Sequence, residues 1–589
     1  MNILQPAPNP SPAKMWLRAL ELTAPIRDNP HRIFPNVVEE LAEKFGAAPA
    51  LLAEGECLSY RELAERSNQY ARWALEQGLV KGGVVCLLMP NCPDYMAVWL
   101  GITRIGGIVA LINTNLSGPS LAHCIRNAAP QLIIVAAGFH DALVRAAPEF
   151  VGPQKIWVRG VKMLQRYSGE SLSRLERRPL SIHDTALYIY TSGTTGLPKA
   201  ARVSHFRVLQ WTHWFAGMMD ATPEDRMYNC LPMYHSVGGV VATGAVLVGG
   251  GSVVIEEGFS ARQFWDDIVR WDCTLFQYIG ELCRYLLGTE YSVSEGQHRI
   301  RMICGNGLRL DVWNDFKERF QIPRILEFYA ATEGNFSLYN AEGKPGAIGR
   351  IPPFLAHRFP VALVRHDTQR EEPARDEKGI CIRCAPNEIG EAIGRISPAG
   401  NAAGGKFEGY TNAEASEAKI LRNVFASGDS WFRTGDLMRQ DEKGYFYFID
   451  RVGDTFRWKG ENVATCEVAE ALCAFAGVRF ANVYGVSVPG TEGRAGMAAI
   501  VADRGLNLVA LRTYLIDRLP GYACPLFLRI LDDLPATGTF KQPKQDLVRA
   551  GYNPEATSDP IYFNDPEKGA FVLLNRELYD RLQEGQIRL

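Results

Sequence analysis

Three common signals of partner or location are missing from this sequence: an excess of basic charge, a secretory leader and a membrane-spanning segment. The net charge is −2, with 63 basic and 65 acidic residues, whereas nucleic-acid binding requires a basic face. The first residues, MNILQPAPNPSPAK, carry prolines where a secretory signal has its apolar core, so we expect no export. The longest apolar stretch, residues 236–255, contains a glycine triplet and ends in a β-branched run. This pattern favours a buried helix followed by a buried strand, and we expect no transmembrane helix.

A disulfide framework is also not indicated. The 13 cysteines are scattered along the chain and odd in number, which is typical of reduced thiols. We therefore predict a cytoplasmic protein, and attachment to the inner face of a membrane stays open. One CxxC pair, Cys381 and Cys384, has no second pair or histidines at zinc-site spacing, so we interpret the cysteines as structural.

Length and periodicity predict an α/β protein with two domains. A chain of 589 residues exceeds the size at which a single core keeps growing. Apolar residues recur at helical spacing in YRELAERSNQYARWALEQG (60–78), whereas VVCLLMP, GIVALIN and QLIIVAA are apolar throughout, as strands of a covered parallel sheet are. We predict a large domain over residues 1–450 and a small α+β domain over residues 451–589. The boundary is placed at the charged turn near Arg451.

A hydroxyl-rich segment, TSGTTGLPK (191–199), follows a short apolar run. Glycine N–H groups, hydroxyl donors and one ammonium group are what a polyphosphate requires. The segment is not a Walker loop, because Lys199 does not directly follow a glycine. Taken alone, it predicts either a nucleotide-binding loop or an ordinary turn.

Further motifs occur along the chain in an order that distinguishes these alternatives. They are LPMYHSVGG (231–239), CGNGLRLDVW (304–313), EFYAATEGN (327–335), WFRTGDL (431–437), DRVGDTFRWKGENV (450–463) and LPATGTFKQPK (534–544). With the hydroxyl-rich segment, they resemble the adenylate-forming superfamily of acyl-CoA synthetases, luciferases and peptide synthetase adenylation domains. The amino-acid sequences of these motifs are most similar to those of the branch that contains fatty acid transport proteins and very-long-chain acyl-CoA synthetases. The resemblance spans nearly the whole chain.

The resemblance implies a fold, a reaction and cofactors. The fold is a large multi-sheet N-terminal domain with a small mobile C-terminal domain. The reaction joins a long or very long chain fatty acid to coenzyme A through an acyl adenylate, with release of pyrophosphate and AMP. ATP, Mg²⁺ and coenzyme A are the implied cofactors and cosubstrate. No acylated enzyme cysteine or serine is required.

The resemblance also assigns roles to the nucleotide-binding residues. Glu333 matches the position that holds Mg²⁺, and a hard cation bound by one carboxylate plus phosphate oxygens is usual for magnesium. Thr332 would donate to the α-phosphate, and Asp436 would accept from the ribose hydroxyls. The remaining expected nucleotide contacts come from the phosphate loop, the adenine pocket and one arginine: Thr191, Ser192, Gly193, Thr194, Thr195, Gly196, Lys199, Gly305, Asn306, Gly307, Tyr329 and Arg451.

The adenylation lysine is expected in the small domain. Lys541 in TGTFK matches the family lysine that bridges the carboxylate and the α-phosphate, a task suited to a compact charge. Lys544 is the rival candidate, interpreted mainly as a solvated lysine. The hinge position is Gly453, where relatives often carry aspartate or lysine. His235 resembles the histidine near the acyl entrance, and Gly460 would face the pantetheine channel.

Several alternatives stay open at this point. Carnitine, a bile acid or an aryl acid could replace the fatty acid, and a carrier-protein thiol could replace coenzyme A. A membrane-associated fatty acid uptake protein is the alternative from another class. The segment AKMWLRALELT around Trp16 could lie on a membrane surface. The aromatic-rich residues 264–287 could line an acyl tunnel or pack in the core. The oligomeric state is open, with a homodimer as one option, and no nucleic-acid partner is expected.

Overall fold

The computed structural model describes residues 11–150, 156–158, 164–191, 197–367, 372–397, 406–459, 461–489, 491, 493–532 and 544–587. The chain forms two compact units. The first contains Met1–Pro360 and Ile396–Ile420, and the second contains Val361–Arg395 and Leu421–Leu589. This division differs from the boundary expected near Arg451. The domain limits 1–450 and 451–589 stay a prediction.

Among the described residues, the first sheet of the first unit has six strands, and the apolar segments form its centre. Val84–Leu88 pairs in parallel with both Ile108–Leu111 and Leu132–Val135, and all but Val84 are buried. The parallel-strand prediction is therefore confirmed. In spatial order the strands are Ile156–Val158, Leu132–Val135, Val84–Leu88, Ile108–Leu111, Thr185–Thr191 and Lys199–Ser204.

In the part of the chain that the structure describes, the second sheet of this unit has eight strands, and it carries two of the predicted motifs at strand ends. Met302–Asn306 and Ile325–Ala330 are parallel neighbours, so residues that follow them meet at one edge. In spatial order the strands are Ser337–Asn340, Ile325–Ala330, Met302–Asn306, Leu275–Ile279, Arg226–Asn229, Ser252–Ile255, Pro49–Ala53 and Glu56–Ser59. Gly349–Arg350 is a further two-residue strand, and Ile420–Arg422 crosses the sequence limit between the units.

Helices cover these sheets, and local capping sets their limits. Ser59 accepts from Glu62 N while the Glu62 side chain bonds back to Ser59 N, a reciprocal cap that starts the helix predicted over 60–78. The α-helices are Pro12–Thr23, Phe34–Phe45, Tyr60–Glu76, Pro93–Arg104, Gly118–Ala128, His140–Ala146, His205–Met219, Thr243–Val248, Phe264–Arg270, Gly280–Leu287, Leu310–Arg319 and Ala413–Glu417. Short 3₁₀ turns span Ala24–Ile26, Ala137–Phe139, Pro148–Phe150, Val293–Gly296 and Pro353–Leu355.

The long apolar stretch folds as predicted. Val237–Ala242 is a π-helical turn that continues into the helix Thr243–Val248, and the buried strand Ser252–Ile255 follows. Among the described residues, every helix is too short or too polar to cross a bilayer.

Two amphipathic segments turn inward. Trp16 is 1% exposed and packs edge-on against Trp214, Tyr339 and Phe359. Burial of this aromatic ring is more favourable than its exposure. Trp16 is therefore not available for contact with a membrane surface, which was the basis of that hypothesis. The aromatic-rich residues 264–287 likewise contribute to a core, shown by seven residues that are at most 3% exposed: Phe264, Trp265, Ile268, Phe276, Tyr278, Leu282 and Leu286.

The described part of the second unit contains two main sheets and four helices. One sheet runs, in spatial order, Tyr445–Arg451, Ser430–Gln440, Ile389–Arg395, Val361–Asp367 and Glu372–Pro373. The other runs Val478–Val486, Ala495–Ala502, Phe527–Leu531, Ile561–Asp565 and Ala570–Leu573. A hairpin joins Phe456–Trp458 and Glu461–Val463, and the helices are Thr465–Cys473, Leu508–Arg518, Gln545–Ala550 and Arg576–Gln583. The strand Val478–Val486 and the helix Leu508–Arg518 contribute to the mixed content of this unit, and the α/β class is confirmed.

Candidate functional site

The predicted phosphate loop is carried on a β-hairpin. Thr191 ends one strand, Lys199 begins the next, and the two residues are register partners. Thr191 Oγ1 donates to the Lys199 carbonyl over 3.5 Å. Ser192, Gly193, Thr194, Thr195 and Gly196 lie outside the described residues. The antiparallel pair therefore places Thr191 and Lys199 side by side at the base of the segment between them.

Glu333 is connected to this hairpin through a tyrosine. The Tyr410 hydroxyl donates to Glu333 Oε1 over 2.7 Å and forms a hydrogen bond with the Thr191 side chain. Lys199 Nζ lies 5.9 Å from the centre of the Tyr410 ring, within cation–π range. The structure thus brings Glu333, which is distant in sequence, together with the hairpin residues Thr191 and Lys199 around one buried aromatic side chain.

A buried arginine adds positive charge beside the same carboxylate. Arg207 is 7% exposed, and its Nη2 donates to the Gly334 carbonyl over 2.6 Å. Burial lowers the pKa of Arg207, while the charges of Glu408 and Glu333 oppose this shift. The guanidinium group therefore restrains, through this hydrogen bond, the backbone directly after Glu333.

Thr332 and His235 belong to neighbouring loops. Thr332 Oγ1 lies 3.2 Å from Ser236 Oγ, and Ser236 directly precedes the π-helical turn Val237–Ala242. The His235 carbonyl accepts from Gly239 N over 2.8 Å, and its ring lies 4.6 Å from that of Tyr234. π-Helical turns often occur at functional sites, and this one fixes the loop that faces Thr332.

The expected adenine pocket is built around glycines. A Cβ atom on Gly305 would lie 2.2 Å from the Tyr278 carbonyl, so only glycine allows these neighbouring strands to approach so closely. Gly307 adopts a φ of +81°. Asn306 Oδ1 is shielded from solvent and has no hydrogen-bond partner within the described ranges, which fits a ligand with an amino donor. Tyr329 stacks obliquely, 5.9 Å from Phe336.

A buried carboxyl group, Glu327, supports this pocket from beneath. Its Oε1 accepts from Gly307 N over 2.5 Å and from Leu308 N over 3.3 Å, and its other oxygen accepts from the Tyr278 hydroxyl. Burial raises the pKa of Glu327 to about 8, although these hydrogen bonds favour the ionised form. A carboxyl group that is protonated near neutral pH therefore holds the Gly307 turn.

Replacing Glu327 with glutamine is expected to reduce the pH dependence of stability. The folded pKa, about 8, lies above the unfolded value of 4.5. The contribution of this group to stability is therefore fully present below pH 4.5 and is lost as the pH rises through 8. Between pH 6 and pH 8, the free energy of unfolding should fall by about 2 kcal/mol less in Glu327→Gln than in the wild type.

Urea unfolding at the two pH values measures this difference. Glu149→Gln is the control, because Glu149 is an exposed partner of Arg126 with a lowered pKa and does not titrate above pH 6. Equal losses of stability in the wild type and Glu327→Gln would show that Glu327 is ionised throughout this range.

The expected ribose carboxylate lies in the second unit. Asp436 is 7% exposed, and its Oδ1 is 3.4 Å from Arg451 Nε. The two residues are register partners on adjacent antiparallel strands. Asp436 N also donates to Thr434 Oγ1 over 3.0 Å. The structure therefore places the side chains of Asp436 and Arg451, two residues expected to contact the nucleotide, beside each other.

A second carboxylate, Glu391, fixes the backbone that presents Asp436. It is fully buried and accepts from Arg433 Nε over 2.8 Å and from Gly435 N over 3.1 Å. Burial alone would raise the pKa of Glu391, but hydrogen bonds and charge from His366 and Arg433 hold it below its usual range. An ionised group inside the sheet thus orients Arg433 and Gly435, which precede Asp436 on the same strand.

The predicted hinge and its neighbours also lie in the second unit. Gly453 has a φ of +91°, which favours glycine at this turn. Lys544 Nζ donates to Thr465 Oγ1 over 2.8 Å and to Asp454 Oδ2 over 3.3 Å, so interpreting Lys544 as a solvated side chain was wrong. Lys541 and Gly460 lie outside the described residues, and their roles stay predictions.

Sequence reasoning missed Tyr410, Glu391 and Glu327. Tyr410 ends the glycine- and alanine-rich segment 397–410, whose composition is typical of a linker, although an aromatic ring is unusual in such a loop. Glu391 and Glu327 stand inside otherwise apolar strands. Acidic residues are rarely buried without partners, so a carboxylate within an apolar run was an available signal.

With this geometry established, comparison with protein-family models identifies the class. The model described as AMP-binding enzyme matches residues 38–385, and the model described as AMP-binding enzyme C-terminal domain matches residues 467–541. The chain belongs to the AMP-binding enzyme family, and the resemblance to adenylate-forming enzymes is confirmed.

Individual relatives narrow the branch. The chain is 40% identical over 559 residues to long-chain fatty acid transport protein 6 of Mus musculus, covering 92% of this chain and 88% of that protein. It is 38% identical over 574 residues to long-chain fatty acid transport protein 1 of the same species, covering 95% and 88% respectively. The branch inferred from the motif wording is thereby confirmed.

Solved structures agree on the fold. The chain is similar to the anthranilate CoA ligase AuaEII in complex with anthranoyl-AMP, with a TM-score of 0.75, 20% identity and coverage of 88% of this chain and 97% of that one. It is also similar to ATP-bound MatB from Rhodopseudomonas palustris, with a TM-score of 0.74, 23% identity and coverage of 87% and 98%.

Proposed function

We propose that this protein is an ATP-dependent ligase that joins a long or very long chain fatty acid to coenzyme A through an acyl adenylate. The observation that carries the proposal is the convergence of Thr191, Lys199 and Glu333 on Tyr410. It supplies a cation, hydroxyl donors and a carboxylate at the base of the predicted phosphate loop. The similarity to proteins named long-chain fatty acid transport proteins supports the choice of substrate.

The residues near Glu333 fit a magnesium ion. Among the described residues, no group of three or more histidine, cysteine, aspartate or glutamate side chains could form a closed metal site. A single half-buried carboxylate fits a cation whose other ligands are phosphate oxygens and water. When bound, Mg²⁺ would neutralise phosphate charge. Glu333 would hold it, and Arg207 and Tyr410 would keep this carboxylate in place.

Other side chains would bind and orient the nucleotide and the acid. We propose that Asn306 Oδ1 accepts from the adenine amino group, that Asp436 accepts from the ribose hydroxyls, and that Thr332 donates to the α-phosphate. Lys541 would counter the negative charge that develops when the carboxylate attacks phosphorus. The thiol of coenzyme A would then displace AMP, with Gly460 lining its path.

The fatty tail would bind mainly through apolar area, at about 0.8 kcal/mol per buried CH₂. His235, beside the π-helical turn, would lie near the acyl entrance. Since residues 264–287 contribute side chains to a core, we do not assign the tunnel to that segment. We further propose a cytoplasmic location with contact to membranes as the source of long-chain acids.

A fatty acid uptake role is the second candidate, favoured by the word transport in the names of the relatives. The two functions are compatible if ligation traps the acid after entry, because a charged CoA thioester crosses a bilayer poorly. Uptake would then require the intact adenylation site.

Pyrophosphate and AMP release from a panel of acids tests the proposal. The panel should contain fatty acids of increasing length, carnitine, a bile acid and benzoate, each with and without coenzyme A. We expect turnover to rise with chain length and to require coenzyme A for AMP release. Turnover of only the short or aryl acids would replace the substrate class, and no pyrophosphate with any acid would refute the ligase function.

A further inference from the structure

We propose that Tyr410 is a positioning residue that sets the orientation of Glu333 for Mg²⁺ and couples that carboxylate to the predicted phosphate loop. The proposal deepens the proposed function and rests on it. Tyr410 is 5% exposed, so bulk water does not compete with Glu333 for its hydroxyl.

The first argument is the geometry at the carboxylate. The hydroxyl reaches only Oε1 of Glu333, over 2.7 Å. Within the described ranges, Glu333 has no other hydrogen bond or ion pair, so its second oxygen is available to a cation. A carboxylate with one oxygen held by a donor presents the other in a defined direction. Partners of this kind typically change metal affinity by about 10- to 100-fold.

The second argument is that the Tyr410 backbone is hydrogen-bonded to the hairpin that carries the phosphate loop. Arg202 N donates to the Gly409 carbonyl over 3.0 Å, and Thr411 N donates to the Ala200 carbonyl over 2.9 Å. Ala201 and Tyr410 thus form an antiparallel bridge beside the strand Lys199–Ser204. A movement of Lys199 would therefore be transmitted to Tyr410.

The third argument is that flanking side chains fix this short segment at both ends. Ser204 N and Oγ donate to the Glu408 carboxylate over 2.8 and 2.6 Å. Tyr410 N donates to Ser416 Oγ over 2.8 Å, and Thr411 Oγ1 lies 2.9 Å from Asn127 Oδ1. A linker does not need so many hydrogen bonds. Bonds of this kind hold the backbone in place and thereby fix the orientation of the Tyr410 side chain.

Tyr410→Phe tests the role of the hydroxyl, because phenylalanine keeps the ring beside Lys199. We expect the Mg²⁺ concentration needed for half-maximal ATP binding to rise about 10-fold, with recovery at high Mg²⁺. ATP binding is measured by titration calorimetry at a series of Mg²⁺ concentrations, without any fatty acid. The same shift should appear in the Mg²⁺ dependence of pyrophosphate release.

Tyr60→Phe is the matched control. Tyr60 is fully buried in the same unit, and its hydroxyl donates to the carbonyls of Gly251 and Leu247 over 2.6 and 3.0 Å. Both variants lose a buried hydroxyl, so both should lose a similar amount of stability. Only Tyr410→Phe should change the Mg²⁺ dependence.

The outcomes separate the two proposals. If the wild type binds ATP with a clear Mg²⁺ dependence that Tyr410→Phe shares, the positioning role is refuted and the ligase function stands. If Tyr410→Phe weakens ATP binding equally at every Mg²⁺ concentration, the hydroxyl does not act through Glu333. If the wild type binds no ATP, the ligase function is refuted together with the role of Tyr410.

Discussion

Acyl-adenylate formation is expected to fall by roughly 10²- to 10³-fold when Lys541 is replaced by alanine. The reason is the loss of a cation that would meet both the fatty carboxylate and the α-phosphate as negative charge builds between them. Conversion of preformed acyl adenylate to the thioester should be retained, because AMP leaves in that step without renewed attack on phosphorus. Pyrophosphate exchange measures the first step, and single-turnover thioester formation from synthetic acyl adenylate measures the second.

Lys544→Ala is the matched control for this experiment. Lys544 lies three positions away but is bonded to Thr465 and Asp454, so its ammonium group serves the second unit itself. Its removal should cost some stability and leave pyrophosphate exchange largely intact. Equal loss of both half-reactions in Lys541→Ala, or greater loss of exchange in Lys544→Ala, would contradict the assignment of Lys541.

The second large effect is expected from Asp436→Asn. An ionised acceptor for two ribose hydroxyls becomes a neutral amide that can accept at only one atom. Hydrogen bonds to charged groups contribute about 1.5–3 kcal/mol, so ATP should bind roughly 10- to 100-fold more weakly. Arg451 also loses the partner that lies 3.4 Å from its Nε. Equilibrium binding of ATP and of AMP measures the effect, which should be similar for both nucleotides.

A pair with the same separation supplies the control for Asp436. Asp503 Oδ1 also lies 3.4 Å from an arginine Nε, that of Arg479, but both side chains are more than half exposed. Exposed pairs contribute little, so Asp503→Asn should bind ATP as the wild type does. Unchanged binding in Asp436→Asn, or loss for ATP with none for AMP, would rule out a ribose contact.

Much of the architecture could be predicted because its causes are local. Uninterrupted apolar runs such as 84–88 and 108–111 can be satisfied only where both faces of a strand are covered, and they form the parallel sheet. Motif order likewise indicated the family. These features depend on residues that are neighbours in the chain, and the chain records them directly.

The misjudged segments depend on partners that are distant in sequence. The helix Pro12–Thr23 has the composition of a membrane-surface helix, yet Trp16 packs against Trp214, about two hundred positions away. The local sequence around Lys544 is typical of a solvated lysine, but its ammonium group donates to side-chain oxygens of Thr465 and Asp454. The burial of a side chain depends on the residues that pack over it, and a local sequence pattern does not identify those residues.

The sequence by itself determined the α/β class, the family and the residue types available for nucleotide chemistry, because periodicity and motif spacing are properties of the chain. Only the tertiary structure decided that Tyr410, from an apparent linker, would join Glu333 to the Thr191–Lys199 hairpin. The physical reason is that a hydrogen bond requires two groups within about 3 Å. Folding brings residues separated by tens or hundreds of positions to that distance.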